Sequence, residues 1–181
     1  AMARDGLHVG DMSGFKAGRP VKAPPLRDKI LPAGEIDVWK ARFESVRESD
    51  RHIYAAFLLC FGLALRAGEA TAARWTWCHY DESRRAGLLT VRDRPDEGFS
   101  MKGARPRSIP FGPRWWSAAQ ATRTESPYIL PGSSATAREH LAGVRLADWM
   151  RARGWKGPKF AHELRAWRGQ EWWSDCSPQE C

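Results

Sequence analysis

The chain has 181 residues, 43% hydrophobic and 28% charged. That balance excludes a disordered chain and fits one soluble, globular domain. Lys and Arg number 29 against 21 Asp and Glu, a net charge of +8, which argues against an acidic surface and fits a polyanionic partner.

Residues 1–34 are rich in Gly and Pro and have no periodicity, so they read as a basic, flexible arm or linker. Arg4, Lys16, Arg19, Lys22, Arg27 and Lys29 outnumber Asp5, Asp11 and Asp28 there. Both phosphate contact and a solvated tail fit that excess. The domain proper is expected over 35–181. A helix is expected over 35–48, with Ile36, Trp39, Phe43 and Val46 on one face at spacings of three and four. Asp50 suits the N-cap of a second helix over 51–65, apolar nearly all round and so central to the core. Its apolar stretch, 53–65, has 13 residues, short of the roughly 20 that cross a bilayer, so no membrane association is expected.

A short third helix is expected over 68–74. Strands are expected at 75–79 and 88–92, joined by a polar hairpin, with a third strand at 107–111. Pro113 suits the first turn of a helix over 113–121. A long helix is expected over 135–153, with Leu141, Val144, Leu146, Trp149 and Met150 facing inward and Gly154 as its C-cap. A last helix is expected over 160–173. The sum is a mainly α fold with a small antiparallel β-sheet, an α+β domain. Most of the ten Trp are expected in the core. Cys60, Cys78, Cys176 and Cys181 form no C-x-x-C pair. They read as reduced thiols of a cytoplasmic protein, with no metal site.

Three segments carry chemistry. Arg66, followed by Gly68 and Glu69, ends the most apolar helix and sets a guanidinium at a core edge. Such a group wants a carboxylate or a phosphate, and a simple Arg66–Glu69 pair would also satisfy it. Lys102-Gly103-Ala104-Arg105-Pro106-Arg107-Ser108-Ile109-Pro110 forms a basic hairpin loop, whose lysine could swing into a site or simply be solvated. His162-Glu163-Leu164-Arg165 puts His162 and Arg165 on one helix face, suited to an anion or to a core edge.

Together and in this order, the segments resemble the catalytic domain of the tyrosine recombinase, or phage integrase, family. The first-arginine box matches Leu65-Arg66-Ala67-Gly68-Glu69 and the hairpin box matches 102–110. The H-x-L-R box is intact at 162–165, and Trp75 loosely fits the region between the first two. Lys102 and His162 follow Arg66 by 36 and 96 positions, in keeping with the family's order.

The resemblance implies a tyrosine-recombinase-like fold and DNA strand exchange through a 3′-phosphotyrosine, without metal or small-molecule cofactor. Arg66 and Arg165 would clamp the scissile phosphate. Lys102 would protonate the leaving oxygen. His162 would assist, and Glu69 would orient Arg66 or His162. Arg105, Arg107 and Arg168 would contact double-stranded DNA, on which the full-length protein could self-assemble. The location implied is cytoplasmic and nucleoid-associated, in a prokaryote or phage-derived.

The chain departs from the family in its tyrosines. Only 16 residues follow Arg165, and Tyr54, Tyr80 and Tyr128 all precede the H-x-L-R box. No nucleophile is expected in this chain, and the catalytic domain is expected to be incomplete at its C-terminus. The alternative reading is a non-catalytic DNA-binding module with a recombinase-derived fold. A protein-interaction domain with a coincidental motif set is a third.

Overall fold

The computed structural model describes residues 33–101, 106–157 and 160–175. The chain divides after Ile30, and the second unit, Leu31–Cys181, carries every described residue. The arm expected over 1–34 lies outside the described residues except for its last two positions, which already belong to the first helix.

Helix α1, Ala33–Glu44, buries Ile36, Trp39 and Phe43, three and four residues apart. It stops four residues short of the expected end, and turns lead to Asp50. The Asp50 carboxylate accepts the Ile53 N–H at 3.2 Å and caps α2, Arg51–Phe57. The regular helix does not reach residue 65. The Trp115 indole donates to the Leu58 carbonyl at 3.0 Å, and the next turn, Leu58–Gly62, widens to a π-helix. Gly62 is required there, because a Cβ would stand 2.8 Å from the Trp115 ring. Ala64 then takes a left-handed conformation, φ +50°, and the Leu65 N–H returns to the Leu59 carbonyl at 3.1 Å. This turn ends the helix and sends Arg66 out of the core as the N-cap of α3, Ala67–Ala72.

Trp75–Trp77 is a 3₁₀ turn, not the expected strand. The Trp75 N–H bonds the Pro127 carbonyl instead of a neighbouring strand. Strands β1 (Cys78–Asp81), β2 (Ala86–Val91) and β3 (Arg107–Phe111) form one antiparallel sheet in that order. Leu89 pairs with Cys78 on one side and Ile109 on the other. Asp81 builds the hairpin, its Oδ1 accepting the Ser83 and Arg84 N–H groups at 2.9 and 3.1 Å. Leu89, Val91, Ile109 and Phe111 turn into the core.

Helix α4, Pro113–Ala121, carries Trp115 and Trp116. The long helix expected next is divided into α5 (Ala135–His140), a π turn (Leu141–Arg145) and α6 (Leu146–Arg151). The wider turn shifts the inward face, so Leu141, Ala142, Leu146 and Met150 are buried while Val144 is 47% exposed. Gly154 closes this rod as expected, with the Trp155 N–H bonding the Met150 carbonyl at 3.0 Å. Helix α7, Phe160–Asp175, buries Leu164 and Trp167.

The core is strongly aromatic. Phe43 stacks on Phe57 at 3.9 Å and on Trp149 at 4.6 Å, and Trp155 meets Trp39 and Trp167 edge-on. The architecture is thus a helical domain with a three-stranded antiparallel sheet. No helix among the described residues is long and apolar enough to cross a membrane.

The left-handed Ala64 yields a prediction of unusual sign. An L-residue there costs about 1–2 kcal/mol that glycine escapes, against under about 1 kcal/mol of added unfolded-state entropy. Ala64→Gly should therefore be neutral to stabilising, by up to about 1 kcal/mol, in urea unfolding. A loss of more than about 1 kcal/mol would contradict this backbone reading.

Candidate functional site

The site is organised around one buried carboxylate. Glu69, in the first turn of α3, is 5% exposed. Its Oε2 accepts the Arg66 backbone N–H at 2.7 Å, and its Oε1 accepts Arg66 Nη1 at 3.0 Å. From β3, Arg107 completes a two-pronged pair, with Nη1 on Oε1 at 2.9 Å and Nη2 on Oε2. Glu69 thus holds Arg66, one of the two roles expected of it. Arg107, expected to contact DNA, spends its guanidinium on Glu69. A signal for this was present: Arg107, Ile109 and Phe111 alternate along a strand and share its inward face.

Arg165 approaches the same group from α7. Burial lowers its pKa most, and the charges of Arg66 and Arg107 lower it further while Glu69 raises it. Its Nη1 is buried with no hydrogen-bond partner among the described residues. Among the described residues, three guanidinium groups therefore lie around one carboxylate, an excess of two positive charges. Burial alone would raise the Glu69 pKa. The Arg107 and Arg66 hydrogen bonds, with the Arg107 charge, outweigh it and hold the carboxyl below its usual range.

Arg66, His162 and Arg165 line one cavity of about 310 Å³ with Ala67, Gly143, Phe160 and Ala161. Three segments far apart in sequence build it: the α3 start, the π turn in the long rod, and the first turn of α7. The opening N–H groups of a helix lack intrahelical acceptors, and its N-terminus carries partial positive charge. Phe160, Ala161 and His162 bring that end of α7 to the cavity. The arrangement can hold an anion and offers donors on several sides.

Lys102 and Arg105 lie outside the described residues. Arg168 does not line the cavity; its guanidinium sits 5.9 Å from the Phe61 ring centre. Sequence reasoning also missed Gly143 and Phe160, which belong to no motif.

Each tyrosine is engaged elsewhere. The Tyr54 hydroxyl donates to Glu44 at 2.6 Å, and burial followed by that hydrogen bond raises its pKa. Tyr80 stacks on Trp116 and Phe111. Tyr128 lies between two guanidiniums, Arg138 at 3.4 Å and Arg74 at 4.5 Å from its ring centre, and accepts a hydrogen bond from Arg74. Arg138 is itself buried and held by the Thr71 and Gly132 carbonyls. Burial pushes the Cys60 and Cys78 thiols up to about 12, which leaves both unreactive at neutral pH. No group of three or more His, Cys, Asp or Glu side chains among the described residues could hold a metal ion.

Compared with known proteins, the chain matches no family model, no curated protein and no solved structure.

Glu69 also makes the fold acid-sensitive. A carboxyl whose pKa is lowered on folding contributes stability above its unfolded value, near 4.5, and loses it as pH falls through the folded value. Urea unfolding should show stability falling below about pH 4.5. Glu69→Gln should remove roughly 2–3 kcal/mol at pH 7 and flatten that acid limb; half-exposure of Arg66 keeps the loss below that of a fully buried pair. An unchanged acid limb in the variant would assign the pH dependence to other carboxylates.

Proposed function

We propose that this chain is a double-stranded-DNA-binding domain of the tyrosine-recombinase type, a clamp for one backbone phosphodiester. The single observation that carries the reading is the buried Arg165 Nη1, without a partner among the described residues, on the same cavity as Arg66 and His162. Arg165 lies near a carboxylate already shared by Arg66 and Arg107, so its charge is costly without an anion, and a phosphate relieves it. The order of the three motifs adds the recombinase-like fold to the proposal.

In this reading, Arg66 and Arg165 bind the non-bridging oxygens, where charge grows in a pentavalent transition state. His162 donates to the same phosphate. Glu69 and Arg107 keep Arg66 in place. Lys102, which precedes β3 in sequence, serves as general acid for the leaving oxygen. The nucleophile is not one of this chain's own tyrosines, since none of them lines the cavity. That observation also favours the second reading, a DNA-binding module without strand cleavage. A prokaryotic cytoplasm and self-assembly of the full-length protein on DNA complete the proposal.

Two measurements test it. Affinity for a short duplex, titrated against salt, should fall steeply and linearly on logarithmic axes. Arg66→Ala and Arg165→Ala should each weaken binding and reduce that slope by about one. A flat salt dependence, or no binding at low salt, removes DNA as the partner. On a nicked suicide substrate, the 181-residue chain should form no covalent adduct. An adduct lost on mutating Tyr54, Tyr80 or Tyr128 would overturn this assignment of the site.

A further inference from the structure

We infer that the cavity beside the clamp is a sugar subsite that takes the deoxyribose next to the held phosphate and rejects ribose, with Gly143 as the residue that keeps it open. The inference rests on the phosphate-clamp reading above.

The cavity is both larger and less polar than an anion needs. Its volume, about 310 Å³, falls at the lower edge of sites for small organic ligands, roughly 300–1,000 Å³. A phosphate amounts to a few times the roughly 30 Å³ of one water. Four of its seven lining residues, Ala67, Gly143, Phe160 and Ala161, carry no polar side-chain atom. The other three, Arg66, His162 and Arg165, suit the anion. In a nucleic acid, what lies one ester bond from a phosphate is a sugar, so the space alongside the held phosphate falls to that sugar. The 2′-methylene of deoxyribose is at ease against alanine, glycine and a phenyl ring. A 2′-hydroxyl pressed there gives up water with no side-chain partner in return.

Gly143 is the informative position. It lies in the π turn between α5 and α6, where glycine weakens a helix relative to alanine. A Cβ added there would meet nothing within 4 Å. Gly68, Gly112 and Gly169 are equally unobstructed but exposed. Gly143 is half-buried and forms part of the cavity wall. Packing does not require glycine there, and any side chain at 143 would take up open space at the cavity wall. A larger side chain at 143 would enter the space assigned to the sugar.

The test uses small probes, so that polyelectrolyte binding does not mask the sugar. The full chain is titrated by NMR with inorganic phosphate, with the DNA dinucleotide dTpdT, and with its ribose counterpart carrying the same bases. Wild type should bind the deoxy form about 10-fold to 100-fold more tightly than the ribose form, the range an apolar wall achieves against an added hydroxyl. Gly143→Leu should lose that preference and weaken dTpdT binding about tenfold, a contact of about 1.4 kcal/mol, while phosphate affinity stays at the wild-type value. Gly143→Ala, which suits a helix, should lie between the two. Equal affinity of wild type for both dinucleotides overturns the inference and leaves the clamp standing. So does a preference that survives in Gly143→Leu, or a loss of phosphate binding in both variants that matches their loss of dTpdT. If wild type binds neither phosphate nor dinucleotide, the clamp itself fails and the subsite with it.

Discussion

The Glu69 carboxylate is the point on which the rest of the site depends. It is almost fully buried, and alone it would be driven toward its neutral form. Arg107 and Arg66 reverse that and are fixed in return, one from the sheet and one from the end of the core helix. This contact joins the sheet to the helical part beside the cavity. Arg165 completes the cluster from α7 and remains under-neutralised. A protein that sought only stability would place a second carboxylate there. The electrostatic shortfall is what reads as an anion site.

Backbone geometry supplies the rest of the precision. One π turn leads toward the cavity and a second lines it. One ends at Gly62 under the Trp115 indole and leads through left-handed Ala64 to Arg66. The other carries Gly143 into the wall. Such turns break the regular helical ladder and are common at functional sites. The helices around them pack on an aromatic core in which Phe43, Phe57 and Phe61 stack and Trp39, Trp155 and Trp167 meet at steep or tilted angles.

Much of this could be read from the chain in order. Apolar spacing placed α1, a continuous apolar stretch placed the core helix, and a last helix is expected where α7 lies. Asp50 and Gly154 marked an N-cap and a C-cap, and the polar stretch before Gly87 marked a hairpin. Arg66, His162 and Arg165 were selected by motif, and the structure brings them to one cavity. The errors are equally specific. A strand is expected over 75–79, yet Trp75 bonds to Pro127 and residues 75–77 turn, so the strand begins only at Cys78. Val144 fits a regular helical face, but the π turn rotates it outward.

The division between what sequence and fold decide follows from the range of the forces involved. Periodicity, caps and turns depend on residues within a few positions of each other, so the chain by itself determined the α+β class, the buried face of α1 and the hairpin. The partner of a charge depends on which surfaces meet after folding. Arg107 lies 38 positions from Glu69, and only the docking of β3 beside α3 decided which carboxylate it meets. Gly143 and Phe160 became walls of the cavity for the same reason. Packing alone brought the π turn and the start of α7 together.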